Sequence, residues 1–210
     1  MSIDTLYLGS QSQSRKKLLE ETGYTFKVLD HTSDEQITTH TEHDFSNYVL
    51  AIAQHKMDSL ILPEHDAHKT GDTIFVLTAD TMVRTKNSHQ VFGKPRDKEH
   101  ALYMLQTYRN EAVEVATGCC LERKKWENGA WVRDETRAWT TVASVEFVVG
   151  QDDVDLFIKQ VPLVMHAAGA AIIEGFGQNF CKSIQGAYSS IMGLPMFELR
   201  QVLKDLGFKF

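Results

Sequence analysis

The sequence predicts an α/β fold on a mixed sheet, and three observations predict it. Short apolar runs that suit buried strands alternate with stretches whose apolar residues fall at helical spacing. Two long segments rich in β-branched and aromatic residues flank Asn128-Gly129, a type I′ hairpin signal. No repeat and no Pro/Gly/Ser-rich linker divides the 210 residues, so residues 1–210 read as one domain.

Leu6-Tyr7-Leu8 is a short buried strand, Ser10 to Ser14 a polar loop, and a helix follows to about Thr22, where Gly23 stops it. Asp44 caps a second helix with the apolar spacing Phe45, Val49, Ile52 and Leu60. Ile74 to Leu77 is a continuous apolar run expected of a central strand. Asp97 caps a helix with the core face Ala101, Met104, Leu105 and Tyr108. Glu114–Arg123 and Thr140–Val148 form the arms of the long hairpin, expected to project from the body. Asp152 or Asp153 starts a helix that Val161-Pro162 ends. Ala170–Glu174 and Phe180–Ile184 read as strands. The last helix opens at Gly193-Leu194-Pro195, buries Met196, Leu199, Val202, Leu203 and Leu206, and ends at Gly207.

Composition narrows the function classes. A net charge of −6 argues against a nucleic-acid binder. The most apolar stretch, Val154–Ile173, is broken by Lys159, Pro162 and His166, so no membrane span is expected. No signal peptide is read at the start. Cys119, Cys120 and Cys181 form neither a CxxC pair nor a zinc spacing, and their odd count suggests reduced thiols and a cytoplasmic location.

Several residues point to chemistry. Ser10 to Lys17 joins a strand, a polar loop and a helix start, where backbone N–H groups and the helix dipole attract anions. Arg15 and Lys16 in the first turn oppose that dipole unless something negative lies nearby. Lys56 falls in the middle of the apolar stripe of its helix, a position lysine rarely takes without a partner. Asp80 follows the apolar run, at the expected carboxyl end of a central strand, where open α/β sheets bind ligands. Gly93-Lys94-Pro95 presents a lysine on a rigid turn. By contrast, His40 with His43 and His65 with His68 lie in polar stretches without a third ligand and read as surface histidines. The Arg123-Lys124-Lys125 run reads as a solvated hairpin face.

Taken in order, these segments resemble the Maf family of nucleoside triphosphate pyrophosphatases. Leu8-Gly9-Ser10-Gln11-Ser12-Gln13-Ser14-Arg15-Lys16-Lys17-Leu18-Leu19 is similar to the family's opening LASxSPRRxELL. Asp34-Glu35, Tyr48-Val49 through Lys56, Ala79-Asp80-Thr81-Met82-Val83 and Gly93-Lys94-Pro95-Arg96-Asp97 follow. Ala168-Gly169-Ala170 with Glu174-Gly175, and Gly186-Ala187-Tyr188 through Pro195, complete a match from about Leu6 to Leu206.

The resemblance implies an elongated mixed sheet with flanking helices, two lobes around a cleft, akin to the inosine triphosphate pyrophosphatases. It implies cleavage of a nucleoside triphosphate between its α and β phosphates, clearing non-standard or excess nucleotides. Ser12, Arg15, Lys56, Lys94 and Glu174 would bind substrate, with Lys16 a weaker match beside them. Asp80 would be the catalytic carboxylate. Glu35 and Asp80 would hold Mg²⁺, or Mn²⁺ in its place. The resemblance also allows a homodimer.

The chain departs from the pattern at Gln13-Ser14, where the family has Pro-Arg, and at Lys17, where an acidic residue is usual. The lost arginine, Glu174 and His166-Ala167-Ala168-Gly169 lean towards the subfamily acting on 7-methylguanosine triphosphate. Ala79-Asp80-Thr81 and Gly186-Ala187-Tyr188 look more like the thymidine and uridine triphosphate subfamily. A third reading is a weakly active nucleotide-binding regulator of septum formation, for which the lost arginine argues.

Overall fold

A computed structural model describes residues 3–32, 44–63, 69–108 and 112–210. Glu35 and the pairs His40/His43 and His65/His68 lie outside the described residues.

The chain runs β1 (Leu6–Gly9), α1 (Gln13–Glu21), β2 (Phe26–Val28), α2 (Phe45–Asp58), β3 (Thr73–Thr85), β4 (Val91–Phe92) and α3 (Lys98–Thr107). It continues with β5 (Val113–Glu127), β6 (Ala130–Phe147), α4 (Val154–Gln160), β7 (Cys181–Gln185), α5 (Tyr188–Ile191) and α6 (Met196–Asp205). The seven strands form one mixed sheet in the order β2-β1-β3-β5-β6-β7, with β4 attached to β3. β1 runs parallel to both β2 and β3, and every later pairing is antiparallel.

Alternation along β3 assigns its two faces. Phe75, Leu77, Ala79 and Val83 join the main core with Leu18 and Leu19 of α1, Met104 and Leu105 of α3 and Leu199 and Leu203 of α6. Ile74 and Val76 pack with Ala53 and Met57 under α2. Because both faces are covered, the strand reads in sequence as an unbroken apolar run. The capped helices stand where their signals put them, and the carboxylates of Asp44 and Asp97 accept from the N–H groups of Asn47 and His100.

Five expectations are corrected. Leu60 lies beyond the end of α2 and bridges to His31 instead of extending the helical stripe. Asp80 is not at the end of a strand, because β3 continues to Thr85 and pairs Asp80 with Gly118 of β5. It stands just past the Gly9–Thr78 pair that ends the parallel pairing with β1. The stretch from Ala170 to Glu174 is not a strand. Gly169 (φ 65°) and Ala170 (φ 55°) take left-handed backbone in a 3-10 turn, which breaks extended pairing there.

The hairpin, finally, does not project. β5 is buried along almost all its length and forms the middle of the sheet. Asn128 (φ 53°) and Gly129 (φ 83°) both take the left-handed values a type I′ turn requires. The Arg123-Lys124-Lys125 run is paired rather than solvated: Arg123 bridges Asp134 and Glu135, Lys124 bridges Glu122, and Lys125 bridges Asp134.

Candidate active site

Where β1 leaves the sheet, its chain turns through Ser10–Ser12 into α1, with Ser12 as N-cap accepting from the Arg15 N–H. That departure opens a cavity of about 350 Å³ at the sheet. Ser12, Arg15, Lys56, Asp80, Lys94 and Glu174 all line it. Six of the seven residues assigned from sequence therefore converge, and the seventh, Glu35, lies outside the described residues. Lys16 does not line the cavity; its amine donates to Gln11 Oε1 at 3.1 Å.

Lys56 has a clear partner. Its Nζ lies 2.7 Å from Asp80 Oδ1, and both side chains are largely buried. The lysine in the apolar stripe is thus neutralised by a carboxylate from the neighbouring strand, which satisfies a charge that burial would otherwise penalise. Gly118 makes this approach possible. A Cβ there would sit 2.6 Å from the Leu50 backbone nitrogen, so only glycine lets α2 lie this close to β5 opposite Asp80.

Arg15 is only 7% exposed. Its Nε donates to the Gly193 carbonyl at 2.7 Å, Nη1 to Ser10 Oγ at 2.8 Å and Nη2 to Thr81 Oγ1 at 2.9 Å. Its charge faces the cavity while its donors tie together the loop before α1, β3 and the turn after α5. Lys94 is exposed on its turn, and that turn is fixed from behind: the Gly93 carbonyl accepts from the Gly169 N–H, and Tyr108 Oη donates to the Gly169 carbonyl at 2.7 Å. A side chain at Gly169 would strike that phenol.

The far wall carries Glu174. Its carboxylate accepts from Ser14 Oγ at 3.4 Å and faces Lys17 Nζ at 3.6 Å. Two of the positions that depart from the family pattern, Ser14 and Lys17, therefore meet on one acidic group. Glu174 also borders a second, more apolar cavity of about 280 Å³ that includes Phe176 and Ile172.

The spacing-based reading missed two groups here. Tyr48 of α2 has its phenol pushed up, by burial first and by the Asp80 charge second. Thr81, one residue beyond Asp80, points to the opposite face and receives the Arg15 hydrogen bond.

Asp80 and Glu174 are the carboxylates among the residues that line the cavity, and Asp80 is paired with Lys56. Among the described residues no group of three or more His, Cys, Asp or Glu side chains is placed to hold a metal. Mg²⁺ commonly uses one or two carboxylates and completes its shell with phosphate oxygens and water.

A Maf-like protein family model matches residues 5–206. A dTTP/UTP pyrophosphatase from Acholeplasma laidlawii is 33% identical over 96% of this chain and 96% of its own length. Another from Neisseria meningitidis serogroup A is 28% identical over 99% of this chain and 96% of its own. Among solved structures, a HAM1 protein from Coxiella burnetii matches at 14% identity and a TM-score of 0.28, over 66% of this chain and 72% of that one.

Proposed function

The chain belongs to the Maf-like protein family, and on that premise we propose that it hydrolyses a nucleoside triphosphate between the α and β phosphates, releasing a monophosphate and pyrophosphate. The single observation that carries the reading is the cavity at the start of α1. It gathers Arg15, Lys56 and Lys94 around Asp80, at a helix N-terminus that favours anions. A triphosphate carries the negative charge that these three cations attract.

The residue roles follow from position. Backbone N–H groups after Ser10 and the Ser12 hydroxyl take a terminal phosphate, and Lys56 and Lys94 hold the chain from two sides. Lys56 then faces both Asp80 and a phosphate, which places the carboxylate beside the phosphorus to be attacked. Asp80 orients a water and accepts its proton as the new P–O bond forms and pyrophosphate leaves. A cation bound at Asp80, with Glu35 as the second carboxylate, would polarise the phosphate and offset its charge.

For the base, thymidine and uridine triphosphates are favoured over 7-methylguanosine triphosphate. The relatives bear the dTTP/UTP name, and none of those compared supports the methylated guanine. Glu174 is the polar group on the far wall against which the base would sit. No helix among the described residues is long and apolar enough to cross a membrane, which suits an enzyme working on free nucleotides. The location we propose is the cytoplasm.

Pyrophosphate release with Mg²⁺ over a panel of thymidine, uridine, cytidine and 7-methylguanosine triphosphates tests this reading. Turnover of the first two, abolished in Asp80→Asn, is the expected result. Tight binding with no turnover of any would overturn the enzyme in favour of a nucleotide-binding regulator.

A further inference from the structure

Thr117 of β5 touches no part of the cavity, yet it anchors one of its walls. It is fully buried and pairs in register with Thr81 of β3. Thr117 Oγ1 lies 3.0 Å from Thr81 Oγ1 and donates to the Ser190 carbonyl at 3.0 Å. A hydroxyl has one proton to give. Ser190 can only accept through its carbonyl, so the Thr117 proton is used there. The Thr81 proton must then go to Thr117, and the Arg15 Nη2 fills an acceptor site on Thr81. The relay therefore has one direction only: Arg15 to Thr81 to Thr117 to Ser190.

Its two ends return to the same place. Arg15 also donates to the Gly193 carbonyl, so the turn from Ser190 to Gly193 is held at both ends from one guanidinium. Ile191, Met192 and Gly193 of that turn line the cavity. A substrate that draws on Arg15 thus meets a wall whose position the same residue sets through Thr81 and Thr117.

We propose that Thr117 is a positioning residue for substrate binding, acting through the Ser190–Gly193 turn and not by contact. The kinetic consequence rests on the proposed hydrolysis, whereas the mobility of the turn does not. Thr117→Val keeps the shape and removes one donor and one acceptor. It is expected to raise KM about five- to tenfold, the range of one lost hydrogen bond, with kcat within about twofold of wild type.

Thr117→Ser restores the hydroxyl and should restore KM. The control is Thr141, the next rung of the ladder on β6, whose Oγ1 is buried without a partner. Thr141→Val should leave KM unchanged. Amide hydrogen exchange reads the turn directly, and the amides of Met192 to Leu194 should exchange several-fold faster in Thr117→Val and not in Thr117→Ser. If the wild-type protein hydrolyses no nucleotide, the exchange result still decides the relay. A Thr117→Val protein with unaltered exchange, or one whose melting temperature falls while KM stays put, overturns the proposal.

Discussion

The central strands bury charge in two regions, and the comparison separates structure from chemistry. In one, the Lys56–Asp80 pair opens onto a cavity that Arg15 and Lys94 also line. In the other, Glu122 is 1% exposed and closed on every side. Lys124 takes one of its oxygens, Arg133 Nε lies 2.6 Å from the other, and Thr136 adds a weak donor. Arg123 and Lys125 form a separate set with Asp134 and Glu135, on the other face of the same hairpin. A buried ion pair that satisfies itself fixes a register, whereas one that lines a polar cavity is a candidate for chemistry.

The largest test of this difference is at the open pair. Asp80→Asn should lower kcat by about 10²–10⁴, the usual worth of a general base, while the protein stays folded. The closed pair should behave in the opposite way. Glu122→Gln leaves Lys124 and Arg133 without their shared anion and should destabilise the fold by about 3–5 kcal/mol. Thermal unfolding would show this as a fall of roughly 10 °C, with kcat/KM within about twofold of wild type. An active-site loss in Glu122→Gln, without loss of stability, would break the contrast.

A smaller effect is expected where the two properties meet. Gly118→Ala places a methyl against the α2 backbone and should cost about 1–3 kcal/mol. Because α2 also carries Lys56, the same change should reduce turnover. Unfolding and kinetics measured on one preparation would show both losses together, unlike either pair above.

Legibility in the sequence follows the same division. Asp44 and Asp97, as caps before periodic apolar faces, gave α2 and α3, and Asn128-Gly129 gave the hairpin turn. Lys56 was visible because a lone lysine interrupts an apolar stripe. Its partner was not, since the approach depends on Gly118 in a strand sixty residues away. The extension of β3 past Leu77 was hidden because Thr78 to Thr85 mixes polar with apolar residues and has no continuous run. The pairing of the Arg123-Lys124-Lys125 run was hidden because its anions, Glu122, Asp134 and Glu135, come partly from the opposite arm. The false strand at Ala170–Glu174 fell to left-handed backbone at Gly169 and Ala170, where an alanine gives no sequence warning.

Two adjacent cysteines sharpen the comparison further, since each sits on one side of β5. Burial pushes both thiols up to about 12, but their charged neighbours differ. Next to burial, Cys119 feels the Arg15 guanidinium, which lowers it, and Cys120 feels Glu122, which raises it. A thiol held protonated in the fold contributes stability that is complete below its ordinary value of 9.0 and is lost as pH climbs towards about 12. Stability should therefore decline through that alkaline window. In Glu122→Gln the charge raising Cys120 disappears while Arg133 and Lys124 remain, so Cys120 should titrate at lower pH, and Cys119, which feels that change only through Cys120, should move less. The Cβ chemical shifts of isotopically labelled cysteine would follow the two thiols separately. Equal shifts at both would mean that the two regions are electrostatically one, and that their division across β5 is wrong.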